Sequence, residues 1–186
     1  TALNDTAFDA LKTLANTRVG TLVEIDNATW TLETVDASSG GWAQQSSYMM
    51  LLTEHAATRP ASEIRLTFDA PTGFHTKGAT VPFPIVLPEL LHPFVDQHLS
   101  IRAFEGATRS ILQKNGHPEI GFVGEVTYAL VRRNPTLHKV DPRLSRQLEA
   151  QYTPLAQAIN LLAAFALFSG VGIKTASGMG VTRLMR

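Results

Sequence analysis

The sequence contains no cysteine, so disulfide bonds and thiolate metal sites are excluded, and a reducing compartment is compatible with the chain. It also lacks a His-x3-His pair and clustered carboxylates, which leaves metal binding without support. The Gly-x-Ser-x-Gly turn of many hydrolases is missing as well. No basic and apolar signal peptide stands at the start of the sequence. We therefore expect a cytoplasmic protein that uses no metal and no cofactor.

Charged residues are scarce, at 17% of the 186 residues, whereas 44% are hydrophobic. Such a composition can bury a core and argues against wholesale disorder. The longest apolar stretch without a charge, residues 155–173, contains Gln157, Asn160 and Ser169. These polar residues favour a core helix over a membrane span.

The net charge of zero conceals a split between the two halves of the chain. Residues 1–99 contain 5 Lys and Arg against 11 Asp and Glu, whereas residues 100–186 contain 11 against 5. A bound polyanion is therefore expected to contact mainly the C-terminal half, although solvated protein faces produce such splits too.

From residue 60 onward, the hydrophobic pattern predicts strand, helix, strand, strand, helix and strand. The expected strands are 63–68, 100–112, 121–132 and a final strand after Gly180, and the expected helices are 86–98 and 142–169, the latter interrupted near Thr153-Pro154. We expect Ala70–Gly73 to end the first strand and Phe74–Gly78 to form a loop or hairpin. The order is that of an α+β, ferredoxin-like (RRM-like) domain, β-α-β-β-α-β.

The first 59 residues supply less structure. They predict a helix at 5–16, a hairpin within 21–35 and a helix from Tyr48 to about residue 58. Trp30, Leu32 and Val35 are the expected inward side chains of the hairpin. Because Arg59-Pro60 restricts the backbone, we place a domain boundary there, giving domains 1–59 and 60–186.

A glycine-rich segment connects the last predicted helix to the last strand. It contains Gly170, Gly172, Gly178 and Gly180. Glycine tolerates positive φ angles, so such a loop can present consecutive N–H groups to an anion. Ser177, Lys174 and Arg183 complete a candidate phosphate site, and Lys77 is a further candidate contact. A glycine helix cap followed by a bent strand entry explains the pattern equally well.

Three segments carry a family resemblance. They are Gly170–Gly180 (GVGIKTASGMG), Arg65–Gly78 (RLTFDAPTGFHTKG) and Gly121–Tyr128 (GFVGEVTY). In their order along the chain, which is 65–78, 121–128 and 170–180, they resemble the CRISPR-associated endoribonucleases of the RAMP superfamily, which process precursor CRISPR RNA and end in a glycine-rich loop. The resemblance implies CRISPR repeat RNA as partner and metal-free cleavage to a 2′,3′-cyclic phosphate and a 5′-hydroxyl.

The resembled family has two ferredoxin-like domains in tandem, and this chain looks like a copy without the opening strand, first helix and second strand of the first. We expect a truncated product or a segment of a larger polypeptide. Other CRISPR-associated proteins, or the covalently continuous remainder, are the further partners that this implies. Whether the chain cleaves RNA alone is left open.

Histidine, lysine and tyrosine are the usual groups of metal-free RNA cleavage. His75 differs from the other histidines because Lys77 follows two residues later in a glycine-flanked loop. In the resembled family the catalytic histidine comes from an early helix of the first domain. We therefore rank RNA contact as the first expected role of His75 and catalysis as the second. For the others a structural role is expected: His55, His92, His98, His117 and His138.

The sequence allows other functions as well. The chain can be a non-catalytic segment that grips RNA or a protein partner, or a ferredoxin-like binder of a nucleotide or other small molecule that uses the same loop. Arg102, Arg109, Arg132 and Arg133 can extend an RNA-binding track if their strands expose them on one side. Phe74 can stack on a base, although its position just past a strand favours the core.

Overall fold

The computed structural model describes residues 5–25, 28–35, 46–56, 58–76, 78–81, 93–112 and 116–185. The helices are α1 (Asp5–Thr17), α2 (Tyr48–Ala56), α3 (Pro93–His98), α4 (Pro135–Val140), α5 (Pro142–Ala150) and α6 (Tyr152–Ser169). The strands are β1 (Leu22–Ile25), β2 (Ala28–Thr31), β3 (Glu63–Thr72), β4 (Phe74–Thr76), β5 (Ala79–Val81), β6 (Leu99–Leu112), β7 (Pro118–Leu130) and β8 (Thr182–Met185). The chain divides into two compact units, Thr1–Met50 and Leu51–Arg186.

The first unit contains α1 and the antiparallel hairpin β1–β2, which confirms the helix and hairpin predicted there. Trp30 is 59% exposed, so its predicted inward orientation is wrong. A two-stranded hairpin offers too little surface to bury a side chain of this size. That the unit is part of a ferredoxin-like domain stays a prediction.

The second unit is built on a four-stranded sheet with the strand order β6-β7-β3-β8. All three neighbouring pairs are antiparallel. In chain order the first strand, β3, lies between the third and the fourth, and helices stand in both crossovers. This is the ferredoxin-like α+β arrangement, and the predicted fold class is confirmed. Of the helix predicted at 86–98, only 93–98 belongs to the described residues, and that part is helical.

The core of this unit lies on one face of the sheet. The alternating residues Ile64, Leu66 and Phe68 are all buried, as the sequence predicts. The Phe68 and Phe122 rings meet edge to face, with centroids 5.7 Å apart at 77°. Such a pair contributes about 0.5–1.5 kcal/mol beyond the area it buries.

Helix α6 is long and apolar enough to cross a membrane by length and composition. It contacts β3 and β8, however, and its buried residues include Ala156, Ala163 and Ala166. Small side chains at these positions let the helix approach the sheet closely. This packing agrees with the prediction that the apolar stretch forms a helix against the core.

Strand β3 continues through Ala70 and Pro71 to Thr72, so the predicted break after residue 68 is wrong. A register shift in the pairing with β7 falls between Phe68 and Thr72, and such an irregularity accommodates a proline within a strand. Gly121 makes the close approach possible, since a Cβ there would lie 2.3 Å from the Thr72 nitrogen.

The helical region before the glycine-rich segment also differs from the prediction. The chain forms α4 as well, where Asn134 caps the helix by accepting hydrogen bonds from the N–H groups of Thr136 and Leu137. The break between α5 and α6 falls at Gln151 rather than at Pro154. Proline is tolerated in the first turn of a helix, where its missing N–H has no partner to lose.

The hairpin β6–β7 reaches past the rest of the sheet. The two strands pair from Leu99–Leu130 to Leu112–Pro118, whereas the pairing of β7 with β3 ends at Phe122. No strand in the described part of the chain pairs with the outer edge of β6.

Candidate nucleic-acid interface

The glycine-rich loop, residues 170–180, connects α6 to β8. It begins where Gly170 adopts a φ of 69° and donates its N–H to Ala166 O over 2.9 Å. A short 3-10 turn, Thr175–Ser177, forms its middle. Lys174 precedes this turn with a φ of 54°, and among the described residues it alone has a positive φ without being glycine. The loop thus fixes Lys174 in a left-handed conformation that side chains usually avoid.

The loop is held on the end of β3 by backbone hydrogen bonds. Ile173 donates to Gly73 O over 2.9 Å, and Gly180 donates to Pro71 O over 3.1 Å. A Cβ added at Gly172 would lie 2.3 Å from Gly73 O, and one at Gly180 would lie 2.0 Å from Val171 O. The glycines are therefore required by close approach of backbone to backbone.

Seven of the eleven loop amides donate to acceptors within the protein. The expectation of an open row of amides is wrong for Gly170, Gly178 and Gly180, because a folded loop satisfies its own polar groups wherever it packs. The amides without an acceptor in the described part of the chain are those of Gly172, Lys174, Thr175 and Ala176. Three of these are consecutive at the start of the 3-10 turn, so the candidate anion site narrows to residues 174–176.

Lys174 in the loop and Arg183 just after it each pair with a carboxylate. Lys174 forms an ion pair with Glu119 of β7, and its side chain remains 40% exposed. Arg183 of β8 donates to Asp69 of β3 twice, Nε to Oδ2 over 2.5 Å and Nη2 to Oδ1 over 2.8 Å. The hydrogen bond with Asp69 raises the pKa of Arg183 above its ordinary value. The loop region is therefore largely neutralised by the protein itself.

His75 lies in β4, exposed and paired with Thr80 of β5. The hairpin β4–β5 begins directly after Gly73, the residue whose carbonyl accepts from Ile173 of the loop. The structure thus starts the His75 hairpin at the point where the glycine-rich loop is anchored. The predicted partner Lys77 lies outside the described residues.

The remaining histidines have varied surroundings. His98 is 2% exposed, and its Nδ1 lies 2.6 Å from Val131 O. His55 and His138 are half-buried and His117 is exposed, while His92 lies outside the described residues. Phe74 is buried, in agreement with a core role.

The four arginines of the predicted track have separate settings. Arg102 of β6 pairs with Glu63 over 2.5 Å, and Arg109 is exposed on the same strand. Arg132 and Arg133 are exposed beyond the end of β7. Within the described ranges, no three His, Asp or Glu side chains form a group that could hold a metal ion.

Sequence reasoning missed Asp69 and Glu119, which control the charge of the loop. Each is separated from its cation by a long stretch of chain, 114 residues for Asp69 and 55 for Glu119. Asp69 follows the alternating core residues of β3, and Glu119 begins a strand after a turn, so neither stands in a motif. Their role follows from strand pairing, which places β7 and β8 on either side of β3.

The sequence model described as "CRISPR-associated endoribonuclease Cas6" matches residues 66–182, more than half of the chain. The chain belongs to the Cas6 family. The match includes all three segments that carry the resemblance, apart from Arg65, and it confirms the family assignment made from them. Cas6 proteins are CRISPR RNA-processing endoribonucleases, and this is the function that the family assigns to the chain.

Solved Cas6 structures share the fold. A Thermus Cas6 in a product complex is 24% identical with a TM-score of 0.62, over 98% of this chain and 76% of that one. A second Cas6, from Thermus thermophilus, is 22% identical in its product complex, with a TM-score of 0.66 over 100% of this chain and 73% of that one. No curated protein sequence matches the chain at a significant level.

Proposed function

We propose that this Cas6-family chain binds CRISPR repeat RNA through its glycine-rich loop and takes part in metal-independent cleavage of precursor CRISPR RNA. The main support is the loop itself, which is anchored to β3. It offers three consecutive backbone amides, those of residues 174–176, together with the exposed side chain of Lys174. Donors that are already fixed stabilise a negative charge without the cost of ordering them. A phosphodiester is the group in RNA that fits such donors.

The proposed chemistry is transfer within the RNA. A general base removes the proton of a ribose 2′-hydroxyl, whose oxygen attacks the adjacent phosphorus. The bond from phosphorus to the 5′ oxygen breaks, and that oxygen takes up a proton. The products are a 2′,3′-cyclic phosphate and a 5′-hydroxyl, and the charge on the non-bridging oxygens is the one that the loop amides and Lys174 would stabilise.

The predicted site residues take different proposed roles. Lys174 and Ser177 contact the RNA, while Gly170, Gly172, Gly178 and Gly180 shape the loop that presents them. Arg183 secures β8 through its two hydrogen bonds to Asp69, and it contacts RNA where a phosphate replaces that carboxylate. His75 contacts RNA from the β4–β5 hairpin, and Lys77 is a further proposed RNA contact. His75 acts as the general base only if no other residue of the site does.

The parts of the chain also take proposed roles. Residues 60–186 form the RNA-binding ferredoxin-like domain, and residues 1–59 represent part of an N-terminal ferredoxin-like domain. The protein acts in the cytoplasm, where its RNA substrate is made.

Repeat RNA that carries a fluorophore at its 5′ end, incubated with the protein in EDTA, tests the proposal. We expect one discrete product, and acid treatment followed by phosphatase should shift its mobility, as a cyclic phosphate requires. A mobility shift of the RNA without product would support a non-catalytic scaffold instead. If the RNA is neither bound nor cut, the proposal is overturned and a small-molecule binder is favoured.

A further inference from the structure

A second basic surface lies away from the glycine-rich loop, on the segment between β7 and α6. This segment, residues 131–151, contains five Lys and Arg residues and two carboxylates, Asp141 and Glu149. The cations, here called the α4–α5 basic surface, are Arg132, Arg133, Lys139, Arg143 and Arg146, and all five are exposed. This is nearly half of the Lys and Arg residues in the C-terminal half of the chain.

These cations differ from those of the loop in their pairing. Lys174 and Arg183 face Glu119 and Asp69, but no cation of the α4–α5 basic surface has a carboxylate partner among the described residues. Asp141 is occupied as a helix cap, where its Oδ1 accepts from the N–H groups of Arg143 and Leu144. The positive charge of this surface is therefore available to an external anion.

Local folding places the cations on adjoining parts of the segment. On α5, Ser145 and Leu148 face inward, which places Arg143 and Arg146 together on the outer face. Asp141 alone separates α4 from α5, so Lys139 and Arg143 lie on consecutive helices. The Arg132 guanidinium lies 5.9 Å from the ring centre of Tyr152, which begins α6 directly after α5. The segment thus folds back on itself with its charges outward.

The surface offers charge without rings for stacking. Residues 131–151 contain no phenylalanine, tyrosine or tryptophan, and Tyr152 is buried. Single-stranded RNA is usually held by stacking of its bases on aromatic side chains, whereas RNA duplexes are held through the backbone. Cations on adjoining helices therefore suit the closely spaced phosphates of a duplex.

We propose that the α4–α5 basic surface binds the phosphate backbone of a double-stranded RNA stem, independently of its sequence. This rests on the proposed function, since it gives the same RNA a second point of attachment outside the glycine-rich loop. The surface supplies affinity and orientation, and the loop holds the phosphodiester that is cut.

The test measures binding of a blunt RNA duplex of arbitrary sequence, of about 16 base pairs, over a range of salt concentrations. The triple variant K139A/R143A/R146A is compared with the unaltered protein and with K12A/R18A/R59A, which loses the same charge from other exposed positions. A further variant, R143K/R146K, keeps the charge. Oligouridine serves as the single-stranded probe, and thermal unfolding followed by circular dichroism confirms that each variant is folded.

We expect K139A/R143A/R146A to bind the duplex roughly 10- to 100-fold more weakly at 0.1 M salt, with a salt slope reduced by about two to three. R143K/R146K and K12A/R18A/R59A should retain most of the affinity, and oligouridine binding should change less than duplex binding. Equal losses in both triple variants, or a greater loss for oligouridine, would overturn the proposal. If the triple variant keeps its duplex affinity and the unaltered protein still cuts repeat RNA, this inference fails while the proposed function stands.

Discussion

The carboxylate of Glu119 contacts the ammonium group of Lys174, so the exposed cation of the glycine-rich loop is paired with a residue of β7. Phosphate binding by Lys174 therefore competes with an internal partner. An exposed ion pair of this kind is weak, worth about 0.2–1 kcal/mol, so a phosphate can replace the carboxylate. Glu119 thus sets how strongly the loop attracts RNA.

Replacing this carboxylate should strengthen RNA binding. In Glu119→Gln the neutral side chain leaves Lys174 without its partner, and we expect repeat RNA to bind up to roughly fivefold more tightly. Fluorescence anisotropy with labelled repeat RNA measures the effect, and Glu105→Gln on β6 is the matched loss of an exposed carboxylate. Weaker or equal binding by Glu119→Gln would show that Lys174 does not contact the RNA.

Substitutions at Gly178 and Gly180 distinguish the cost of a positive φ from the cost of a steric clash. At Gly178 (φ 86°) an added Cβ meets nothing within 4 Å, whereas at Gly180 (φ 73°) it would lie 2.0 Å from Val171 O. Gly178→Ala should cost about 1–2 kcal/mol for its positive φ. Gly180→Ala should cost roughly 1–3 kcal/mol more, because the backbone must move. Urea unfolding measures both variants, and equal costs would contradict the docking of the loop on itself.

The burial of Tyr128 should make the free energy of unfolding fall at alkaline pH. Burial raises the pKa of Tyr128 to about 12 from 10.0. The unfolded chain loses this proton first, so the stabilising effect is fully present below pH 10 and is lost as pH rises toward 12. The loss is about 1.4 kcal/mol for each pH unit in that window. Tyr128→Phe keeps the ring and should flatten the alkaline limb of the stability curve, as followed by urea unfolding at several pH values. An unchanged limb would contradict the burial of the hydroxyl.

His75 should matter more for cutting than for affinity. A general base contributes about 10²–10⁴-fold to rate, whereas one RNA contact among several contributes far less to binding. Single-turnover cleavage and binding of the same repeat RNA by His75→Ala measure the two effects. His117→Ala, a change of another exposed histidine, is the control. Full cutting by His75→Ala would exclude it as the base and leave it as an RNA contact.

The fold was largely predictable from sequence because the signals are local. Side chains that face one core leave a pattern in the sequence. The alternation of Ile64, Leu66 and Phe68 is one such pattern, and the apolar run that forms α6 is another. The helix α4 also had a local signal, Asn134-Pro135, which fits a capping residue followed by proline at the first helical position. That dipeptide predicted a strand break, but the helix it opens was not predicted.

The candidate site was predictable only in part because its charges are set by distant residues. Glycine spacing located the loop, but it could not show that seven of its amides donate internally or that Gly73 and Pro71 receive two of those bonds. The pairing of Arg183 with Asp69 depends on the register of β8 against β3. Such partners become visible only when strands are placed side by side.

The outer edge of β6 has a practical consequence for handling the protein. Over 14 residues its backbone groups meet no described strand, and an unpaired edge of this length is a template for pairing with another molecule. Glu105 and Arg109 are exposed charges along this strand, and an incoming strand would have to desolvate them, which discourages such pairing. Concentrated stocks should therefore associate through this edge more readily when Glu105 and Arg109 are replaced by uncharged residues.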